Sequence, residues 1–209
     1  MPYIKDADRQ KILQHGALLQ ICEKVETETD LGFIAARLTR SFIQKVLTLD
    51  VNVHENVRAV EGKIIERTSY RCVFYLNSDV ENLCALLGVT VGEYNYCITV
   101  ILHWYLRTKG VSYARINRII GVLDRVKFEV ESGIATMRGF PDQLAVFDDA
   151  VGILGCVMLE LYRMIASPYE NLKVIENGAV SVLDAAHELD LKTTGHLCQI
   201  WRTTNELKK

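Results

Sequence analysis

Proline is scarce in this sequence, and that scarcity limits the available folds more than any other single feature. The 209 residues contain three prolines, Pro2, Pro141 and Pro168. Apolar residues recur three and four positions apart over most of the chain, which is the period of an amphipathic helix. Pro141 suits the first turn of a helix, and Pro168 is expected to end or kink one. Because few residues interrupt the helical pattern, the sequence predicts an all-α fold, a helical bundle.

The apolar periodicity predicts a succession of helices joined by short connections. Segment 70–76 is ambiguous, because its aromatic and β-branched residues also suit a short strand. The predicted helices span residues 6–27, 30–47, 54–76, 79–88, 92–109, 112–132, 142–167, 168–176, 179–189 and 194–206.

Several predicted helix ends carry residues suited to that position. A short side-chain oxygen accepts a hydrogen bond from a free amide of the first turn, so Asp79, Ser112 and Thr194 are predicted N-caps. Glycine takes the left-handed backbone conformation at little cost. Gly110 and Gly133 are therefore predicted to end helices.

Composition and charge describe an ordinary globular chain. Hydrophobic residues make up 49% of the sequence, and the formal net charge is −2, so no global polyanion-binding signature is present. The six cysteines include no C-x-x-C pair, which favours reduced thiols. No uninterrupted run of 18 apolar residues occurs. We therefore expect a cytoplasmic protein without membrane association.

Two predicted helices have similar sequences. Residues 113–129 align with residues 144–160 at a constant offset, and Gly121 falls opposite Gly152. Glycine inside a helix is usually retained for close packing, so this internal duplication predicts that the two helices cross closely at the matched glycines. The chain is expected to comprise an N-terminal helical region (1–91), a central helical core (92–180) and a C-terminal helical tail (181–209) that together form one compact unit.

Three pieces of the sequence resemble a known family. They are "MPYI" at the start, "EYNYCITVILHWYL" followed by "SYARINRIIGVLDRVKFE", and "LELYRMIASPYENLKVIENG". Together they are similar to a family of short, all-helical bacteriophage and prophage proteins, for which "ELYR…PYENLK…ENG" is the most specific part. The resemblance implies an all-helical fold and a phage context, and it implies no particular activity. The region before the motif, the duplicated helix and the tail 181–209 are additions to the family pattern.

The segment around Pro168 is the first candidate site. It places aromatic and cationic side chains near an expected helix break, a location that functional sites favour, and its candidate ligand-binding residues are Tyr162, Arg163, Tyr169 and Lys173. The alternative is a solvated surface on which Arg163 and Lys173 pair with Glu170 and Glu176. Such exposed pairs contribute well under about 1 kcal/mol each.

A basic stripe is the second candidate site. Residues 103–127 carry six basic residues and a single acid, Asp124. Arginine, lysine and the free amides of a helix start are the usual ligands of phosphate, and Trp104, Tyr105 and Tyr113 offer rings on which a base stacks. The basic stripe consists of Arg107, Lys109, Arg115, Arg118 and Arg125.

Two other interpretations of the basic stripe remain open. It is a solvated helix face in the first, with Trp104 in the core. In the second it neutralises residues 128–160, which carry six acids and one base, within the fold or between subunits.

Signs of catalysis are few. Asp184, His187 and Glu188 have a spacing used in carboxylate metal sites, and His196 with Cys198 could form a zinc-type pair, but neither pattern has a second half. No P-loop, nucleophile elbow or dinucleotide-binding fingerprint is present, so we expect no cofactor and no metal.

These observations lead to one functional hypothesis and two alternatives. We expect a phage-type accessory protein in the host cytoplasm, a homo-oligomer that binds a phosphate-bearing ligand, a nucleotide or nucleic acid, without catalysis. The first alternative is a protein-interaction or structural assembly subunit. The second is a metal-dependent all-α nucleotide hydrolase that uses Glu129, Glu160 and Asp148.

Overall fold

The computed structural model describes residues 4–49, 74–135 and 141–178. Every regular element in these ranges is helical, and no strand occurs in them, as the sequence predicts. The helices are α1 (Asp6–His15), α2 (Ala17–Lys24), α3 (Glu28–Leu49), α4 (Phe74–Leu86), α5 (Val91–Lys109), α6 (Tyr113–Ala135), α7 (Pro141–Leu161) and α8 (Ser167–Asn177), with a π-helical turn, Tyr162–Ala166, between the last two.

The chain divides into two compact units, Met1–Met158 and Leu159–Lys209. The first contains α1 to α6 and most of α7, and the second contains the π turn and α8. The three regions drawn from the sequence stay a prediction. The tail 181–209 lies outside the described residues.

Helix α3 is the centre of the first unit. Its residues from Asp30 to Ala36 are all buried, which indicates that apolar neighbours surround this part of the helix rather than covering one face. It packs against α4, α5 and α6, whereas α2 packs against α1, α4 and α5. Further along α3, Phe42 meets Tyr94 of α5 edge to face, with ring centroids 5.3 Å apart.

The start of α3 is fixed by a reciprocal cap. The Asp30 carboxylate accepts hydrogen bonds from the backbone N–H groups of Glu26 and Thr27, each at 2.9 Å. In return, the Thr27 hydroxyl accepts from the Asp30 N–H at 3.2 Å. This capping arrangement satisfies the Asp30 amide of the first turn and the two amides that precede the helix. It leaves the neighbouring side chain, Glu28, available for contacts with other helices.

Tyr94 joins α5 to the centre of the same unit. Its hydroxyl donates to the carbonyl oxygen of Gly88 at 3.2 Å and lies 3.4 Å from the Ser41 hydroxyl. Burial raises the pKa of Tyr94 to about 12, and the hydrogen bond with Ser41 only partly opposes that shift. The phenol is therefore held neutral within the core.

Two predicted helix ends are confirmed. Ser112 precedes α6, and its Oγ accepts from the Arg115 N–H at 3.3 Å. Gly110 follows α5 with φ 84° and ψ 157°, a conformation that a side chain would strain. Pro141 is also confirmed, as the first residue of α7.

Other predicted helix ends are wrong. The helix expected at 6–27 is interrupted by Gly16, whose φ of 80° ends α1 and begins α2. Asp79 lies inside α4, where its buried carboxylate pairs with Lys24. Gly133 lies inside α6, which continues to Ala135. Thr194 and residues 70–73 lie outside the described ranges, whereas 74–76 are helical.

Pro168 was expected to end or kink a helix. It does not end one, because helical backbone continues through it to Asn177, and a kink stays a prediction. The π turn Tyr162–Ala166 comes just before it, and the Ser167 N–H donates to the Tyr162 carbonyl, five residues back. A π turn is wider than an α turn, which gives the proline ring room against the preceding turn.

The two similar helices share a buried stripe. In α6 this stripe consists of Ile116, Ile119, Leu123, Val126 and Val130, and in α7 the residues at the same offset are Phe147, Ala150, Leu154, Val157 and Leu161. The matched glycines lie on the opposite, exposed sides, and a Cβ atom built on Gly121 or Gly152 would meet nothing within 4 Å. The predicted close crossing at these glycines is therefore wrong.

The continuous helix Ala145–Asn177 is the one helix in the described ranges long and apolar enough to cross a membrane. Its most apolar window has a mean hydropathy of 1.5 and is 39% buried inside the protein. Core helices of water-soluble proteins reach similar values, so this is weak evidence for a membrane span.

The open space around the matched glycines predicts that alanine stabilises the protein there. Gly121→Ala and Gly152→Ala should each raise the free energy of unfolding by about 0.5–1 kcal/mol, because glycine is the poorer helix former. Urea denaturation measures the change. Gly16→Ala is the matched control and should lower stability by about 1 kcal/mol, because φ is positive there. A loss of stability in both helical variants would contradict the open environment.

Burial of Tyr94 predicts an alkaline loss of stability. A tyrosine in the unfolded chain ionises near pH 10, whereas the folded pKa of Tyr94 is about 12. Its contribution is therefore fully present below about pH 10 and is lost as the pH rises toward about 12. Chemical denaturation at several pH values should show this fall, and Tyr94→Phe should reduce it. Tyr113→Phe, at an exposed position, should leave the pH dependence unchanged.

Candidate functional site

Helix α6 presents part of the basic stripe to solvent. Its buried stripe faces the core, so Arg118 and Arg125, seven residues apart, lie exposed on the other side. Arg107 and Lys109, at the end of α5, are exposed as well. Among the described residues, no ion pair involves Arg107, Lys109 or Arg125. These three cations are therefore unneutralised on the surface.

Arg115 has a structural role. Its Nη1 donates to the carbonyl oxygens of Lys109, at 2.7 Å, and Gly110, at 2.5 Å. These are carbonyls at the C-terminal end of α5, where no later residue of the helix supplies a partner. Arg115 thus satisfies the end of one helix from the first turn of the next.

Glu28 of α3 is the acid that faces the basic stripe. Its Oε1 lies 3.8 Å from Nε of Arg115 and 3.6 Å from Nη1 of Arg118, and its side chain is only 18% exposed. Burial, followed by the negative charge of Glu28 and a hydrogen bond with it, raises the pKa of nearby Tyr105. The described acid that pairs with Arg115 and Arg118 therefore comes from α3. The expectation that residues 128–160 supply it within the fold is wrong for these two arginines among the described residues, and neutralisation between subunits stays a prediction.

Within the basic segment, one cation does pair with residues 128–160. Lys127 lies 3.7 Å from Glu131, one helical turn further along α6. A local pair of this kind contributes about 0.3–0.5 kcal/mol and joins no two helices.

Two large aromatic side chains are exposed on the same helix. Tyr113 at the start of α6 is 56% exposed and Phe128 is 64% exposed. Tyr105 is buried and Trp104 is half-buried, so of the three rings expected to stack on a base only Tyr113 is exposed. Phe128 was not predicted as part of the site. Its position opposite the buried stripe was the signal in the sequence.

The candidate residues around Pro168 contact one another along the second unit. Arg163 forms two hydrogen bonds with Glu160, at 2.9 and 3.2 Å, and Tyr162 lies 3.5 Å from Glu170. Lys173 pairs with Glu176, and that hydrogen bond raises the pKa of Lys173.

A cation–π contact completes the set around Pro168. The Lys173 Nζ lies 5.6 Å from the centre of the Tyr169 ring. Tyr162, Arg163, Tyr169 and Lys173 thus lie close together along one helical segment, and each is engaged by a neighbour in that segment. The expected pairing of Lys173 with Glu176 is confirmed, and Arg163 pairs with Glu160.

A buried polar stripe on α5 was missed by the sequence analysis. Asn95 donates through Nδ2 to the Ile153 carbonyl oxygen of α7 at 3.3 Å. Its Oδ1 and the Thr99 hydroxyl, one turn further, have no hydrogen-bond partner among the described residues. With half-buried His103 a further turn along, the stripe follows i, i+4, i+8 spacing within an otherwise apolar helix. This i, i+4, i+8 spacing of polar residues in the sequence could have identified the stripe.

Among the described residues, no group of three or more histidine, cysteine, aspartate or glutamate side chains is placed to hold a metal ion. Glu160 is buried and held by Arg163, whereas Glu129 is half-buried and Asp148 is exposed. The candidate metal ligands Asp184, His187, Glu188, His196 and Cys198 lie outside the described residues.

Comparisons with protein-family models, with curated proteins and with solved structures give no match to this chain. The resemblance to short phage proteins therefore stays a prediction. The function of the chain is inferred from its own residues.

The two roles of Arg115 and Arg118 predict different effects on stability. Arg115→Ala should lower the free energy of unfolding by about 1–3 kcal/mol, because the carbonyls at the end of α5 lose a charged donor. Arg118→Ala is the matched control and should cost less than about 0.5 kcal/mol, because its ion pair is exposed. Thermal or urea denaturation compares the two. Equal effects would show that Arg115 does not hold the end of α5.

Proposed function

We propose that the chain is a non-catalytic, oligomeric accessory protein of phage type that binds single-stranded nucleic acid through α6 and the end of α5, in the host cytoplasm. The observation that carries the proposal is that exposed arginines and exposed aromatic rings lie together on the solvent side of α6. Arg118 and Arg125 share the solvent side of this helix with Tyr113 and Phe128. Cations that follow a phosphate backbone and rings on which bases stack are the two elements of such surfaces.

The dimensions of α6 suit a strand rather than a single nucleotide. Tyr113 and Phe128 are fifteen residues apart, which corresponds to about 22 Å along a helix. Arg118 and Arg125 lie between them in the sequence, and Lys109 precedes the helix. A ligand that touches both rings and both arginines is therefore an extended polyanion.

The charge of the chain supports a local binding surface. The protein as a whole has a formal charge of −2, so it does not attract polyanions in general. Arg107, Lys109 and Arg125 provide cations that no described acid neutralises. Binding through them should be weak at high salt, because each neutralised phosphate releases counterions.

Removal of two exposed cations tests the proposal. Arg107→Gln with Arg125→Gln should weaken binding of a labelled oligothymidylate of about 20 nucleotides by about tenfold and flatten the salt dependence. Fluorescence anisotropy measures both quantities. Both side chains are exposed, so circular dichroism should remain that of the wild type.

Lys5→Glu is the matched control, because it changes the net charge by the same amount at an exposed position before α1. It should bind with nearly wild-type affinity. Equal weakening in both proteins would mean that net charge, not this surface, governs binding.

The same proteins separate the alternative functions. A protein-interaction or assembly subunit would show a changed oligomeric state in the double variant by size-exclusion chromatography, with no nucleic-acid binding in the wild type. A nucleotide hydrolase would release product only when magnesium or manganese is added.

A further inference from the structure

Glu28 lies farther from the two arginines than a hydrogen-bonded ion pair would place it. Both N–O distances, 3.8 Å to Arg115 and 3.6 Å to Arg118, exceed hydrogen-bond length. The Nε of Arg115 is buried and has no hydrogen-bond partner among the described residues. The carboxylate thus neutralises the arginines without satisfying this donor.

Glu28 is not needed to cap its own helix. The first turn of α3 is capped by Thr27 and Asp30, and the Glu28 carboxylate takes no part in that cap. Its position in the first turn, next to the cap, keeps the carboxylate at a fixed place beside α6, where the Tyr105 hydroxyl is a further neighbour. The Glu28 carboxylate is therefore a negative charge held in a fixed position beside the arginines of α6.

We infer that Glu28 is an internal competitor for the nucleic-acid surface, and that a phosphate group of a bound strand takes its place between Arg115 and Arg118. This inference rests on the proposed function. A phosphate offers more acceptor oxygens than a carboxylate, and it accepts from planar guanidinium groups at hydrogen-bond distance. Arg118, 65% exposed, gives the strand access, and Arg115 holds its position because its Nη1 is bound to the end of α5.

Competition by Glu28 makes the surface autoinhibited. In the free protein the single negative charge of Glu28 offsets one of the two positive charges of Arg115 and Arg118, which would otherwise add fully to those of Arg107, Lys109 and Arg125. Binding must displace the carboxylate into water, so the affinity is lower than the number of cations suggests. Removal of the Glu28 charge should therefore tighten binding and leave both arginines available to phosphate.

Glu28→Gln tests the inference against Glu23→Gln, which makes the same change of charge at an exposed position on α2. The Glu28 variant should bind the labelled oligothymidylate about two- to fivefold more tightly, whereas the Glu23 variant should stay within about 1.5-fold of wild type. The slope of log K against log salt should steepen by about 0.7 for each additional phosphate that the variant neutralises on a single strand.

The origin of the tighter binding is checked by a second substitution. Arg118→Gln should weaken binding in both backgrounds, but the loss should be larger in the Glu28→Gln background, where it removes most of the added affinity, because Glu28 already masks that arginine in the wild type. Equal losses in both backgrounds would overturn the inference. If Glu28→Gln loses helical structure, Glu28→Asp replaces it, since the shorter side chain withdraws the carboxylate and should tighten binding to a smaller extent.

The outcomes separate this inference from the function on which it rests. If neither the wild type nor the Glu28 variant binds oligothymidylate, the proposed function fails and the inference fails with it. If both bind with equal affinity, or if Glu23→Gln tightens binding as much as Glu28→Gln, the surface binds nucleic acid but Glu28 does not compete for it.

Discussion

Burial of α3 among α4, α5 and α6 is the constraint on which the first unit depends. A helix covered on several sides cannot rotate without moving apolar side chains into water, at about 25 cal/mol for each Å² exposed. The cap made by Thr27 and Asp30 then fixes where this helix begins. Glu28, in the same first turn, is consequently held in one place beside α6. The position of the acid that faces the basic stripe thus follows from the packing of an apolar helix and not from the attraction of the charges themselves.

Much of the fold was predictable, because helical periodicity is a local property of the sequence. The scarcity of proline and the spacing of apolar residues identified an all-α chain, and Ser112 and Gly110 marked helix ends correctly. The errors arose where local chemistry had two outcomes. Gly16 ended a helix and Gly133 did not, although both are single glycines within apolar periodic segments. Whether a helix ends at such a glycine or continues through it depends on whether tertiary packing stabilises the continuous helix. A local sequence pattern contains no information on that packing.

The sequence was sufficient to predict which basic residues form the candidate site. It was not sufficient to predict which groups those residues contact. Spacing on α6 correctly placed Arg118 and Arg125 away from the apolar stripe. The roles of Arg115 were not foreseeable, since they depend on carbonyls exposed by the turn at Gly110 and on Glu28 from a distant helix. Opposite charge suggested residues 128–160 as one possible source of the neutralising acids, because that segment carries six acids and one base. In the folded protein the acid that faces Arg115 and Arg118 belongs to α3.

The same arginines face two demands that oppose each other. Arg115 is mostly withdrawn from water, and a charge in that situation needs a counterion if folding is not to be penalised. Glu28 meets this need in the free protein at distances that leave hydrogen-bonding capacity unused. A bound phosphate would meet the same need and use that capacity as well, so the fold would keep its neutralised arginine in both states. If the proposed function holds, the affinity of this surface would be a difference between two anions competing for Arg115 and Arg118, and the acid on α3 would set it as much as the bases on α6.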